Sequence, residues 1–414
     1  MSELTRKALA AGSTKLAWDV LGRLFGFLLS ILLARSLGAS GFGSYAVYWY
    51  GAFMIAQLTD LGLHLVSLRA MSSSPSTKVL ASAVAAKLML TGIVAAGSFV
   101  YSPSRLLLLL LAAQLLGSWV ELFGVALRSR GLVGREGALL ALLRGGWILA
   151  AAWTITRGES VENLALGLAT ASLVVLLLAL AAAAATIREW GRASTAGAAT
   201  LLREAVPLAT TGVITLVYLR ADLFIVSALR GSYEAGVFQA AFRLFEATFV
   251  VSGGLAAGTF PLLASRFGRS DFASLARLLL AWSLALALPI VVAFTLFAET
   301  LTVAFYGEGF REAANPLVYL GITLLAVFVN ASTTHVLIAA HRMRRLVAAI
   351  AVRLAVGVAF DVMLVPSYGA TGAAIAVLIA ELSLTIVSSS LMADLVLFPA
   401  KPNTLETQEL SSCS

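Results

Sequence analysis

Gly38-Ala39-Ser40-Gly41-Phe42-Gly43-Ser44-Tyr45 returns in altered form as Gly231-Ser232-Tyr233-Glu234-Ala235-Gly236-Val237-Phe238. Both stretches read Gly-x4-Gly-x-aromatic, and both join two long apolar runs. The copies lie close to half the length of the 414 residues apart. A chain made of two similar, largely hydrophobic halves is the sequence pattern of a transporter built from a repeated bundle of membrane helices.

Composition points the same way. Hydrophobic residues make up 60% and charged residues 12%, with a mean hydropathy of +0.95. A soluble chain runs at roughly 45–50% apolar and about 25% charged, so lipid must be the solvent for most of this one. The net charge of +8 does not mark a nucleic-acid partner, because the basic residues sit at the ends of apolar runs and form no binding face. The single cysteine, Cys413, allows no internal disulfide, and His64, His335 and His341 are scattered without zinc-type spacing. No metal or cofactor is expected.

A membrane helix needs about 20 predominantly apolar residues. Twelve runs qualify: 16–34, 43–66, 79–100, 105–127, 137–156, 163–187, 205–229, 236–264, 278–298, 316–339, 346–365 and 371–395. The run 236–264 is long and carries Gly253, Gly254 and Gly258, so a bend is expected there. With the N-terminus placed in the cytoplasm, the connections hold 18 Lys and Arg on the inside against 5 on the outside. That imbalance supports both the helix count and an orientation with both termini inside. Asp19 and Arg23 interrupt the first run, which is read as a retained helix and not a cleaved signal.

The expected fold is therefore all-α and membrane-integral, with about 12 transmembrane helices in two six-helix lobes related by an internal repeat. Residues 1–187 form the first lobe, 188–204 a cytoplasmic linker, 205–395 the second lobe and 396–414 a cytoplasmic tail. No loop is long enough to hold a soluble catalytic domain, and the chain is read as a non-enzyme.

Six cations remain inside the spans: Arg23, Lys87, Arg144, Arg220, Arg243 and Arg353. Against them stand Asp19, Asp60, Glu121, Asp222, Glu246, Asp361 and Glu381. Each costs about 2.5–3.5 kcal/mol at the centre of a lipid-facing helix, so these groups are expected to face one another or water. Asp19 with Arg23, and Arg243 with Glu246, have the spacing of local pairs. Gln57, Asp60 and His64 fall at i, i+3, i+7 and form a polar stripe on the second span, with Asp60 and His64 near its cytoplasmic end, where a solvated helix end is the alternative. Arg220 and Asp222, two apart, point to different sides of their helix, and Arg220 lies too deep to reach the interface easily. Lys87, Glu121, Arg144 and Arg353 lie nearer the inner face, where snorkelling of the cations is an alternative. Glu381, mid-span without a local cation, is protonated or paired across helices.

These features resemble the polysaccharide, or lipid-linked oligosaccharide, flippase branch of the multidrug/oligosaccharidyl-lipid/polysaccharide exporter superfamily. The residues that carry the resemblance are Ala34-Arg35-Ser36-Leu37-Gly38 with Gly41, Gly43 and Tyr45; Asp60-Leu61-Gly62-Leu63 with Arg69; Pro207, Tyr218, Asp222, Gly236, Phe238, Ala241 and Arg243; and Tyr368-Gly369-Ala370-Thr371-Gly372 with Glu381. Phe238 stands where the family pattern resembles tyrosine, and Asp361 where an uncharged amide is expected. The resemblance implies export of lipid-linked sugar units from the cytoplasmic to the outer leaflet of the cell membrane by alternating access. Arg23, Arg220 and Arg243, with Asp222 and Asp60, would line the substrate cavity and hold a polyprenyl-pyrophosphate headgroup. A multidrug or cation antiporter of the same superfamily is the alternative reading.

The sequence has no Gly-x4-Gly-Lys-Ser/Thr loop for nucleotide binding. An H⁺ or Na⁺ gradient is then the natural energy source, with Glu381, Asp361 and Asp222 as coupling candidates.

Overall fold

In the computed structural model, residues 3–397 are described, apart from 61, 74–76, 102–103, 188–190, 268, 270 and 341. His341, the start of the expected linker at Arg188, and the tail with Lys401 and Cys413 therefore lie outside the described residues. Among those described there is no strand, and helices follow one another through the chain.

The helices are α1 (Glu3–Gln57), α2 (Leu63–Ser73), α3 (Thr77–Tyr101), α4 (Arg105–Arg128), α5 (Val133–Thr156), α6 (Val161–Thr186), α7 (Thr195–Arg230), α8 (Ser232–Ala247), α9 (Phe249–Arg266), α10 (Phe272–Leu296), α11 (Ala298–Tyr306), α12 (Ala314–Ala339) and α13 (Met343–Leu397). A 3-10 segment, Glu308–Ala313, precedes α12. The twelve apolar runs fall largely on helix, but 43–66 is interrupted after Gln57 by a turn and 236–264 at Thr248.

Two of these helices are too long to be single spans. The apolar stretch Ala17–Gln57 has 41 residues and Met343–Met392 has 50. At 1.5 Å per residue these would reach about 60 Å and 75 Å, against a hydrocarbon core of about 30 Å. Each is broken by one glycine. Gly38 has φ 65° and ψ 177°, and Gly369 has φ 54° and ψ −134°.

Gly231, between α7 and α8, has φ 85° and ψ −176°, nearly the conformation of Gly38. The two copies of the glycine motif thus make the same backbone break, which is physical support for the repeat. Only glycine occupies this region without strain. Gly38→Val is expected to lower stability by about 1–2 kcal/mol, although nothing stands within 4 Å of a Cβ there. Thermal melting in detergent checks this, and an unchanged midpoint would show that the break tolerates a side chain.

The chain divides into two compact units, residues 1–220 and 221–414. In the first, α4 is the hub. Val120, Phe123 and Leu127 pack with Leu139 and Leu143 of α5 and with Val175, Ala179 and Ala183 of α6. The α5–α6 approach relies on small residues, since a Cβ on Gly146 would lie 3.3 Å from Ala171 and one on Gly167 3.2 Å from Ala150. Another cluster joins Leu63 and Val66 of α2, Ala83 and Ala86 of α3 and Leu122 of α4 to Leu201 and Ala205 of α7. Helix α7 therefore begins inside the stretch read as linker.

In the second unit, α9, α10, α12 and α13 meet at Leu263, Phe272, Ala276, Leu279, Val336, Ala339 and Met392. As expected, the long run after Gly231 is not straight: α8 ends at Ala247, and Ser232–Leu255 meets Gly258–Arg266 at 43°. Exposed apolar side chains cover the outside of the helices, with Leu149 72% and Ile386 71% exposed. That surface fits lipid and not water.

Eight helices are long and apolar enough to cross a membrane, or nine when the bent pair counts as one. The chain is a multi-span membrane protein.

Candidate functional site

Both units bury charge. In the first, the chain leaves α1 at Gln57, turns through Leu58, Thr59 and Asp60, and enters α2 after Gly62, whose φ is 76°. This turn overrides the expected helical stripe of Gln57, Asp60 and His64, because the three residues do not share one helix. It places Asp60 against α3, where its carboxylate pairs with Lys87. The Lys87 side chain is 0% exposed and that of Asp60 4%. The Lys87 ammonium also lies 5.8 Å from the ring of Trp119 on α4, a distance at which the ring face attracts a cation. Lys87 is thus a buried partner and does not snorkel.

Around this pair the charges continue. Glu121 lies within electrostatic reach of Asp60, Lys87, Arg144 and Glu136. Arg128, at the end of α4, pairs with Glu136 of α5, its Nε 2.6 Å from Oε2. Asp19 pairs with Lys15 at 3.1 Å, one turn before it, so the expected Asp19–Arg23 pair is replaced by a pair on the other side of Asp19. Arg23 is exposed on α1. The Arg220 guanidinium stacks 3.9 Å from the ring of Tyr50, whose side chain is buried.

The second unit holds a more compact network. Arg353 and Glu381, both on α13 on opposite sides of Gly369, form a buried ion pair with Nη2 2.9 Å from Oε1, and Arg353 Nε donates to the same oxygen at 3.1 Å. Asn330 of α12 donates from Nδ2 to Glu381 Oε2 at 2.8 Å and to the Glu381 carbonyl at 3.0 Å. Its own side-chain oxygen accepts from Thr385 at 3.0 Å. Thr333 donates to Ser388 at 3.1 Å. Glu381 is thus paired across helices, one of the two expected outcomes.

Asp361 is fully buried, and its carboxyl interacts with Asp222 of α7 and with Arg353. Three acidic groups therefore gather around one arginine. Arg243 pairs with Glu246 along α8 at 3.3 Å, as their spacing predicts. The motif aromatics Tyr45 and Phe238 are buried, and so are Gly43 and Gly236. Their part is packing beside the two glycine breaks.

The structure therefore brings together Asp222, Asp361 and Glu381, and it closes Asp60 onto Lys87. Asn330 was not singled out from sequence. Its signal was present as a polar run, Asn330-Ala331-Ser332-Thr333-Thr334, in the middle of an otherwise apolar helix. Among the described residues, no group of three His, Cys, Asp or Glu has the arrangement of a metal site.

Comparison with known proteins bears out the expected resemblance. Residues 13–124 match a family model described as polysaccharide biosynthesis protein, and residues 207–363 match the MatE model. Among solved structures, the chain is similar to the lipid II flippase MurJ in an inward closed conformation. That match has 15% identity and a TM-score of 0.73, covering 91% of this chain and 86% of that one. It is also similar to an inward-facing multidrug resistance transporter of the MATE family, at 16% identity and a TM-score of 0.71, over 92% of this chain and 96% of that one. A transporter of the same superfamily from Pyrococcus furiosus, described as having reversed polarity in its binding pocket, gives 14% identity and a TM-score of 0.64 over 94% and 96%. A search among curated proteins found no match.

Proposed function

From the superfamily resemblance that both family models carry, and the fold it shares with solved exporters, we propose that this chain is a flippase. It moves lipid-linked oligosaccharide units from the cytoplasmic to the outer leaflet of the cell membrane, with both termini in the cytoplasm. The supporting observation is arginine in the apolar helices: Arg23, Arg144, Arg243 and Arg353 lie in helices apolar enough to span a membrane, and Arg220 lies in α7, whose run 205–229 is read from sequence as a span. A sugar headgroup cannot cross about 30 Å of hydrocarbon unaided, since each buried hydroxyl without a partner costs roughly 2–7 kcal/mol. A polyprenyl diphosphate adds negative charge, which planar guanidinium groups bind in a two-point fashion. A site for organic cations would be acidic instead.

Arg220 is the strongest single residue for this role. Stacking on Tyr50 fixes the plane of its guanidinium. Arg220→Ala is expected to abolish export with expression retained, and Arg220→Lys to restore part of it, because the charge survives and the fork is lost. Normal export by Arg220→Ala would remove it from the site.

The energy source in this reading is an ion gradient sensed at Asp222 and Asp361. Glu381, held by Arg353 and Asn330, ranks below Asp361. The test is uptake of a fluorescent lipid-linked oligosaccharide by proteoliposomes. Collapsing the proton and sodium gradients is expected to end directional accumulation, as is Asp361→Asn. Export of an organic cation with no effect on the lipid-linked sugar would overturn the flippase reading in favour of the antiporter.

A further inference from the structure

The two ends of the second unit carry opposite charge. At the end where Gly231 and Gly369 break the chain, Arg230 pairs with Glu234 at 3.7 Å and Arg311 with Glu299 and Glu308. Tyr233 donates to Glu312 there at 3.1 Å. Four glutamates thus meet two arginines, and both arginines are paired. Helix α12 runs from that end to the cluster of Leu263, Phe272, Ala276, Leu279, Val336 and Ala339, and around this cluster the balance reverses. Arg266, Arg269 and Arg277 border the turn between α9 and α10, and Arg342, Arg344 and Arg345 the turn between α12 and α13. Each group begins within three residues of a member of the cluster.

Among the side chains described at this end, Asp271 is the acidic one, and it pairs with Arg266. Arg277 turns back on its own helix and donates to the Ala273 carbonyl at 3.4 Å. Among the described residues, Arg269, Arg342, Arg344 and Arg345 have no carboxylate partner. Arg269, Arg277, Arg344 and Arg345 are exposed. In the first unit, by contrast, the arginines that follow α4 are used internally: Arg128 bonds Glu136 and Arg130 donates to the Thr186 carbonyl at 3.0 Å.

Two apolar side chains stand among these charges, Phe267 at 42% and Met343 at 48% exposed. Such a surface is matched by a partner that is anionic at its head and apolar behind it. A guanidinium holds a phosphodiester through two parallel N–H···O bonds, and clusters of about 4–8 basic residues at the ends of membrane helices attract anionic lipid.

We propose that this rim of the second unit is a binding surface for anionic phospholipid, with Arg342, Arg344 and Arg345 at its centre and Phe267 and Met343 set against the acyl chains. It does not depend on what the chain transports. Charge that served only to orient the helices during insertion would leave the finished protein without a preference between lipids.

The full chain in phosphatidylcholine nanodiscs containing a minor share of photoactivatable phosphatidylglycerol provides the first test. Irradiation is expected to label peptides holding Phe267 or Met343 above the rest of the surface, as mapped by mass spectrometry, whereas photoactivatable phosphatidylcholine labels them no more than other peptides. The second test titrates the detergent-solubilised chain with spin-labelled phosphatidylglycerol. Replacing Arg342, Arg344 and Arg345 together by glutamine is expected to weaken binding at least about tenfold and to remove most of its salt dependence. Replacing them by lysine should restore part of it, because the charge survives and the fork is lost. The charge-matched control is Arg105→Gln, Arg135→Gln and Arg157→Gln in the first unit, all exposed, which should leave binding unchanged. Equal labelling by the two lipids in the unmutated chain, or an equal loss of binding in the two glutamine triples, overturns the proposal.

Discussion

Replacing Lys87 by methionine is expected to remove about 3–5 kcal/mol of folding stability, enough to leave little folded protein in the membrane. The reason is what remains. Asp60 has a side chain 4% exposed and has Lys87 as its ion partner, so the variant would bury an uncompensated carboxylate. Methionine fills a similar volume, which makes the loss electrostatic and not a matter of packing. The double variant Asp60→Asn with Lys87→Met is expected to recover most of the loss, because replacing both members of a buried pair is often close to neutral. Melting and yield in detergent measure all three proteins. If Lys87→Met melts with the wild type, the pair contributes nothing, and the turn from Gln57 to Leu63 is held by other contacts.

Arg353→Met is expected to have an effect of the same size and a different pattern of rescue. Arg353 bonds Glu381 and also lies in reach of Asp361, which in turn faces Asp222. Its removal takes the cation away from Glu381 and Asp361. Glu381→Gln in the same chain should therefore recover only part of the loss, since Asn330 can still donate to the new amide while Asp361 remains without this cation. Adding Asp361→Asn should recover more. A double-mutant cycle gives the coupling. Full recovery with Glu381→Gln alone would show that Arg353 serves one carboxylate only, and that Asp361 and Asp222 are stabilised independently.

The order of helices was legible in the sequence because lipid imposes a simple rule, a run of about 20 apolar residues for each crossing. The glycine motif was equally legible, since only glycine makes the break that both Gly38 and Gly231 show. Pairings over long separations were not. Lys87 meets Asp60 from 27 positions away, and Arg353 meets Glu381 from 28. Hydrophobic periodicity cannot supply such partners when every face of a helix is apolar. Glu381 looked isolated for that reason. Helix α5 begins at Val133 and not near 137, so Arg144 is the twelfth of its 24 residues. The stripe from Gln57 to His64 failed because Gly62 at positive φ ends the helical register between its members.

The glycine joints also constrain how this chain can diverge over evolutionary time. A connection of several residues absorbs an insertion, but Gly38 and Gly369 each join two helical segments as a single residue. One added or deleted residue beside such a joint would rotate the following helix by about 100° and turn a lipid-facing row toward the interior. Relatives of this protein should therefore keep their length constant across residues 30–50 and 360–380 even where their sequences have drifted far apart. Gaps in an alignment should collect instead around 188–194, before α7 begins.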